Sequence, residues 1–183
     1  MPAAILIAYA TRSGSTAQVA DAIAAALLED NLTSDVIPMH LVETLKGRTA
    51  VILGAPLYIG LFPDEFHKFF SRHQSALALM RPWFFVLGPT RTEPKDFEAA
   101  RNQAAKQLYR YSWFQPADLR IFGGKWDVNS IPFPFSLARR LIPAGKVPPS
   151  DIRDWAAIRN WAAGIARELK PAVRLEEQAI QIR

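Results

Sequence analysis

Ala3–Tyr9, Ala50–Ala55 and Pro82–Leu87 are unbroken apolar runs of six or seven residues. Runs of that length without polar alternation read as strands buried on both faces, the condition of a parallel sheet. Asp35–Met39 and Asp118–Phe122 complete a set of five strands. Between them the period changes to that of helices. Thr16–Leu28 carries Val19, Ala20, Ile23, Ala24 and Leu27 at helical spacing, Asp64–Arg72 puts Phe66, Phe69 and Phe70 on one side, and Lys95–Tyr111 is a long helix. A short helix is expected over Leu41–Lys46. A last one is expected over Asp151–Leu169, capped by Ser150 or Asp151 and stopped by Pro171. Strands alternating with helices call for an α/β, doubly wound, five-stranded parallel sheet with helices on both faces. One segment, 125–149 (KWDVNSIPFPFSLARRLIPAGKVPP), breaks this rhythm with prolines and aromatics. Residues 1–171 therefore read as a single domain with an insertion at about 125–149, and 172–183 as a tail; 183 residues hold one such domain.

Ligands of such sheets bind beyond the carboxyl ends of the strands, where the strand order reverses. The first strand delivers Thr11-Arg12-Ser13-Gly14-Ser15-Thr16 to that place, directly before a helix. Four hydroxyls and several backbone N–H groups meet a helix N-terminus, whose dipole favours an anion. Gly14 allows a tight turn. The stretch has neither the lysine and spacing of a triphosphate loop nor the G-x-G-x-x-G of a dinucleotide fold. It suits a single phosphomonoester. A well-capped helix following a glycine turn is the competing account, since Ser and Thr serve both.

These residues carry a resemblance. ILIAYATRSGSTAQVADAIA is similar to the first strand, phosphate loop and first helix of the flavodoxin-like family, whose loop reads [TS]-x-[TS]-G-x-T; Thr11, Ser13, Gly14 and Thr16 fill the fixed positions. The resemblance implies a sheet ordered 2-1-3-4-5 and FMN held by the loops after strands one, three and four. The first of these is Thr11, Arg12, Ser13, Gly14, Ser15 and Thr16. The second is Pro56, Leu57, Tyr58, Ile59 and Gly60, with Tyr58 either stacking on the isoalloxazine or serving as an ordinary loop aromatic, and Gly60 letting the backbone approach the flavin. The third is Gly88, Pro89, Thr90 and Arg91.

The later half resembles the menaquinone-dependent protoporphyrinogen oxidase group more closely. That group has a fifth strand ending in F-x-G (Phe122, Gly124), an aromatic and basic insertion, and a final helix opening near a D-W pair (Asp154-Trp155). The resemblance implies an FMN-dependent enzyme that oxidises a tetrapyrrole and passes the electrons to a quinone. Here the basic run after strand four is reduced to Arg91 and Lys95, and Gly145–Pro149 is unusually rich in proline. A flavodoxin-like electron carrier or quinone reductase is the alternative with the same cofactor. A non-catalytic phosphate- or nucleotide-binding module is the alternative without it.

Charge bears on these choices. The net charge is +5 and the pI about 9.7. Between Arg120 and Lys146, five cations (with Lys125, Arg139 and Arg140) face only Asp127, so four of the net five charges lie there. Short carriers of the flavodoxin-like family are usually acidic, which counts against a simple shuttle. Arg139 and Arg140 stand among Ile131, Phe133, Phe135, Leu137, Leu141 and Ile142. Such a segment suits a lipid headgroup boundary or the propionate of a porphyrinogen; packing over strand five with the arginines outward is equally open. The basic residues are too few and too local for a nucleic-acid surface. There is no cysteine, which excludes disulfides, thiolate metal sites and a Cys nucleophile. His40, His67 and His73 have no metal-ligand spacing, so no metal is expected. With no signal peptide and no apolar run of about 18 residues, the expected location is cytoplasmic, peripheral on the inner face of the membrane. The Asn31-Leu32-Thr33 triplet then has no glycosylation role.

Overall fold

In a computed structural model the chain is described over residues 4–126 and 150–181. The strands are β1 (Ile5–Tyr9), β2 (Ser34–Pro38), β3 (Ala50–Pro56), β4 (Trp83–Leu87) and β5 (Asp118–Phe122). All are parallel, in the order β2-β1-β3-β4-β5. The helices are α1 (Ser15–Glu29), α2 (Asp64–Arg72), a single turn α3 (Gln74–Leu77), α4 (Pro94–Leu108) and α5 (Trp155–Gln181). Two-residue strands β6 (Lys125–Trp126) and β7 (Ser150–Asp151) form a small antiparallel ribbon at the two roots of the insertion.

Alternation along the strands divides the core in two. Ile5, Ile7, Ile52, Phe85 and Leu87 face Val19, Ile23 and Leu27 of α1, and Ile158, Trp161, Ala162 and Ile165 of α5. Leu6, Ala8, Val51, Leu53, Phe84 and Val86 face the other way, onto Phe62, Phe66, Phe69, Phe70, Tyr111 and Phe114. Phe66 is the centre of that second layer, 4.0 Å from Phe70 and stacked at 5.6 Å on Phe84 between ring centroids. The three phenylalanines of α2 are thus core residues.

Four local expectations are corrected. Leu41–Lys46 is not a helix. One 3-10 turn, Met39–Leu41, leads into extended backbone at Val42, and the buried Val42 and Leu45 lie against the sheet's second layer. The carbonyl of Val42 is bound by the ring of buried His73, 3.2 Å away, which an α-helical turn would have kept for itself. The last helix begins at Trp155, not Asp151, because Asp154 is its cap: its Oδ1 accepts from the Ala157 N–H at 2.9 Å. Nor does Pro171 stop it. The ring removes one donor, the one that would reach the Arg167 carbonyl, but Ala172, Leu175, Glu176, Glu177 and Ala179 are good helix formers and the backbone runs on to Gln181. The long helix α4 stops at Leu108, three residues early, where Tyr111 turns its ring into the aromatic layer and its N–H bonds Leu108 O at 2.8 Å. Arg139, Arg140 and the apolar residues around them lie outside the described residues. No helix among the described residues is long and apolar enough to cross a membrane.

Gly54 of β3 stands opposite Phe85 of β4. A Cβ there would fall 2.2 Å from Phe85 Cζ, so the ring occupies the space a side chain would need. Gly54→Ala is expected to lower the unfolding free energy by about 1–3 kcal/mol, read from urea melts. In a Phe85→Leu background, which removes the clashing atom, the same substitution should cost clearly less. Equal costs in the two backgrounds would contradict this packing.

Candidate functional site

Three loops meet at the carboxyl end of the sheet, around the point where β1 and β3 part. There the Ala10 N–H bonds Gly54 O at 2.8 Å, the last link between the two strands before their loops diverge.

The first loop is a turn closed on itself. Thr11 Oγ1 accepts from the Gly14 N–H at 3.0 Å, and Gly14 adopts φ 82°, the left-handed conformation that glycine adopts without strain. Thr11 therefore shapes the loop. Helix α1 starts at the next residue, with Gly14 as its cap, no side-chain capping bond and no acidic residue in its first turn. Its leading N–H groups are left to a ligand or to solvent. Ser13 and Ser15 approach within 3.5 Å through their hydroxyls. Thr16 is fully buried, 0% exposed, and its hydroxyl has no hydrogen-bond partner. A buried hydroxyl left unpaired costs about 1–3 kcal/mol.

The second loop is a tight hairpin. Tyr58 and Leu61 exchange backbone hydrogen bonds of 2.9 and 3.0 Å around Ile59 and Gly60. Both central residues have positive φ, 50° at Ile59 and 77° at Gly60, the signature of a type I′ turn. Such a φ is unfavourable for a β-branched residue, and Ile59 is fully exposed, with nothing buried in return. The Tyr58 ring carries the Arg12 guanidinium 5.2 Å from its centroid, a cation–π contact that joins the first and second loops. Tyr58 Oη is buried and unpartnered. The Leu57 N–H bonds Leu87 O at 2.8 Å, so the start of this loop, directly after β3, is tied to the end of β4.

The third loop, Gly88 to Glu93, is held over its first half by the end of β5 and the ribbon that follows it. Gly88 N–H bonds Phe122 O at 3.2 Å, Gly124 N–H bonds Pro89 O at 2.7 Å, and Ser150 Oγ donates to Thr90 O at 3.2 Å. Between the second and third loops and the first turns of α4 lies a cleft of about 440 Å³, lined by Leu57, Ile59, Gly60, Gly88 to Arg91, Asp96 and Gln103. Asp96 brings to it a carboxylate whose Oδ2 is buried and unpartnered. A larger hollow of about 530 Å³, among Phe97, Arg120, Phe122 and Trp161, lies along the outer edge strand β5 and involves none of the three loops.

All fifteen loop residues singled out in the sequence are thus gathered at one end of the sheet. Sequence reasoning missed Asp96, Gln103 and Arg153. Asp96 and Gln103 sit on an α4 surface whose pattern looks merely solvated. Arg153 is buried under α1, and only its D-x-R spacing to Asp151 gave a sign of it. The histidines have structural tasks. His40 bonds Glu65 twice, through its backbone N–H and its ring. His67 bonds Tyr111 Oη at 2.7 Å, and burial together with the Arg110 charge pushes its pKa down. His73 is lowered chiefly by burial, against the bond to Val42 O. Among the described residues no group of carboxylates and histidines is placed to hold a metal ion.

The chain matches the sequence model of the flavodoxin domain over residues 6–134. It is 24% identical over 169 residues to a protoporphyrinogen IX dehydrogenase [quinone] of Escherichia coli K12, covering 88% of this chain and 93% of that one. Solved structures with the same fold include a flavodoxin from the Archaea (TM-score 0.53, 15% identity, 91% of this chain and 98% of that one). A flavodoxin of Streptococcus pneumonia TIGR4 is similar to the same degree (TM-score 0.54, 16% identity, 92% and 98%).

Ile59→Asn would place Asn-Gly at the hairpin, the pair that best tolerates this turn. It is expected to stabilise the chain by about 1 kcal/mol, seen as a higher thermal midpoint. A lower midpoint would contradict the turn geometry.

Proposed function

The chain belongs to the flavodoxin-domain family, and from that premise we propose that it binds FMN with its three loops and acts as a flavin-dependent oxidoreductase on a tetrapyrrole, with a quinone as acceptor. The observation that carries the cofactor is the uncapped N-terminus of α1 with the orphaned Thr16 hydroxyl in its first turn. A phosphomonoester fits this donor set. Backbone N–H groups and hydroxyls supply directed hydrogen bonds, the helix dipole supplies favourable potential, and no acidic side chain in that turn opposes a dianion. Tyr58 supports the ring end, since its face already receives the flat guanidinium of Arg12. The cleft bounded by Leu57, Gly60 and Gly88 offers a slot of mixed polar and apolar lining, to which the half-buried Asp96 brings one buried carboxylate oxygen as an acceptor.

When bound, FMN supplies the two-electron chemistry. The protein's own residues bind, orient and exclude water. Thr16 and the first turn of α1 would hold the phosphate, the glycines of the second and third loops would let backbone approach the ring, and Tyr58 would cover it. None of the described histidines stands at the cleft as a proton donor or acceptor.

The substrate reading rests on likeness to the E. coli dehydrogenase across nearly the full length of both chains. An electron carrier or quinone reductase is the rival. Anaerobic addition of protoporphyrinogen to the FMN-loaded protein separates them: bleaching of the flavin band supports tetrapyrrole oxidation, and a bound but unbleached flavin favours the rival.

Thr16→Val keeps the side chain's shape and removes its hydroxyl. FMN affinity should fall about tenfold or more in a fluorescence titration, the size of a hydrogen bond to a charged group. The stability of the flavin-free protein should hold or rise, because an unsatisfied buried group is gone. Unchanged affinity would count against this phosphate assignment.

A further inference from the structure

Arg153 is a charged side chain, 4% exposed, under the site. Every nitrogen of its guanidinium is engaged. Nε and Nη2 form a two-pronged pair with Asp151, at 2.8 and 2.5 Å. Nη1 donates to Gln18 Oε1 at 2.6 Å and to the Ser15 carbonyl at 3.4 Å, both in the first turns of α1. The Trp155 ring covers it at 4.5 Å. The pairing with Arg153, partly opposed by burial, holds the Asp151 carboxyl below its ordinary pKa, so the pair is ionised at neutral pH.

Burying an arginine costs desolvation that a well-packed apolar side chain would avoid, so such a pair is weak evidence for stability and better evidence for a fixed geometry. That geometry links two walls of the site. Asp151 lies in the β6–β7 ribbon, next to Ser150, whose hydroxyl bonds the third loop at Thr90. The other ribbon strand follows Gly124, whose N–H bonds Pro89. From this platform the fork of Arg153 reaches across to the first turn of α1. Its carboxylate partner balances its charge, and its burial keeps it from presenting that charge to an anion in solvent.

We infer that Arg153 is a positioning residue for the phosphate loop: it fixes the first turn of α1 against the ribbon that carries the third loop, so that the N–H groups and Thr16 hydroxyl stand ready for the phosphate of the flavin. The inference rests on the FMN reading above. A fork is required, since one lysine nitrogen cannot span Asp151 and Gln18 in this planar arrangement.

The test compares FMN with riboflavin, which has the same ring and no phosphate. Each is titrated by fluorescence quenching into the full chain, the Arg153→Met variant and the Gln18→Ala variant. If Arg153 acts on the phosphate loop, R153M loses about tenfold in FMN affinity, the size of a charge-assisted hydrogen bond, while riboflavin affinity is unchanged. Gln18→Ala, an exposed position whose loss leaves the fold intact, should move the FMN-to-riboflavin ratio in the same direction by less, and should add nothing in the R153M background. If R153M does not fold, the Q18A ratio decides. A merely structural role would weaken both flavins together, or lower only the melting temperature, and either result overturns the inference. Wild-type protein that binds no FMN would overturn the cofactor reading and this inference with it. Tight FMN binding by wild type with an unchanged ratio in the variants would overturn this inference alone.

Discussion

The bond from the Ala10 N–H to the Gly54 carbonyl marks the last point at which β1 and β3 travel together. Beyond it the chain turns from β1 toward β2 on one side and from β3 toward β4 on the other, as the order β2-β1-β3-β4-β5 requires. That divergence opens the crevice at the carboxyl end of the sheet. The rest of the structure serves it. The two apolar layers hold the strands in register, and α1 aims its N-terminus into the gap. The aromatic layer under α2 fixes the end of the second loop, because Phe62 and Phe66 pack directly after it against Phe84.

Polar links stand at both ends of the α1–α5 pair. Arg153 reaches Gln18 and Ser15 at the site end, and Lys170 meets Asp30 at 2.6 Å at the other. Between them Val19, Ile23 and Leu27 share a layer with Ile158, Trp161, Ile165 and Leu169. The two links differ in kind. Lys170 and Asp30 are partly exposed, where a pair contributes roughly 0–1 kcal/mol. Arg153 is closed in, and its geometry bears on whatever α1 holds.

Much of this was legible in the sequence because the signals were strong and local. Unbroken apolar runs gave β1, β3 and β4, and the shorter mixed stretches Asp35–Met39 and Asp118–Phe122 gave β2 and β5, all to within two residues. Asp64–Arg72 came out to the residue, since the proline before it and the phenylalanine spacing act on that segment alone. The T-x-S-G-x-T stretch exposed the first loop because its backbone needs are chemical: a glycine at positive φ and hydroxyls near a helix start. The misses share the opposite property. Leu41–Lys46 has helical spacing at Val42 and Leu45, but a ring from His73, distant in sequence, takes the carbonyl at Val42. Pro171 is a stop signal that neighbouring helix formers override. The strain at Ile59 has no sequence sign, as isoleucine is a poor residue for its φ. Arg153 has only the D-x-R spacing to Asp151 as a local sign, and its partners on α1, 135 and 138 residues away, are what bury it.

The proposed cofactor depends on a phosphate dianion held at the first turn of α1. Phosphorus NMR of FMN added to the protein reads that atom directly. One shifted resonance is expected, constant as pH is lowered through about 6, where the second proton of a free phosphomonoester is taken up, because the N–H groups and the helix dipole favour the dianion. A resonance at the free FMN position, titrating as it does in solution, would contradict it.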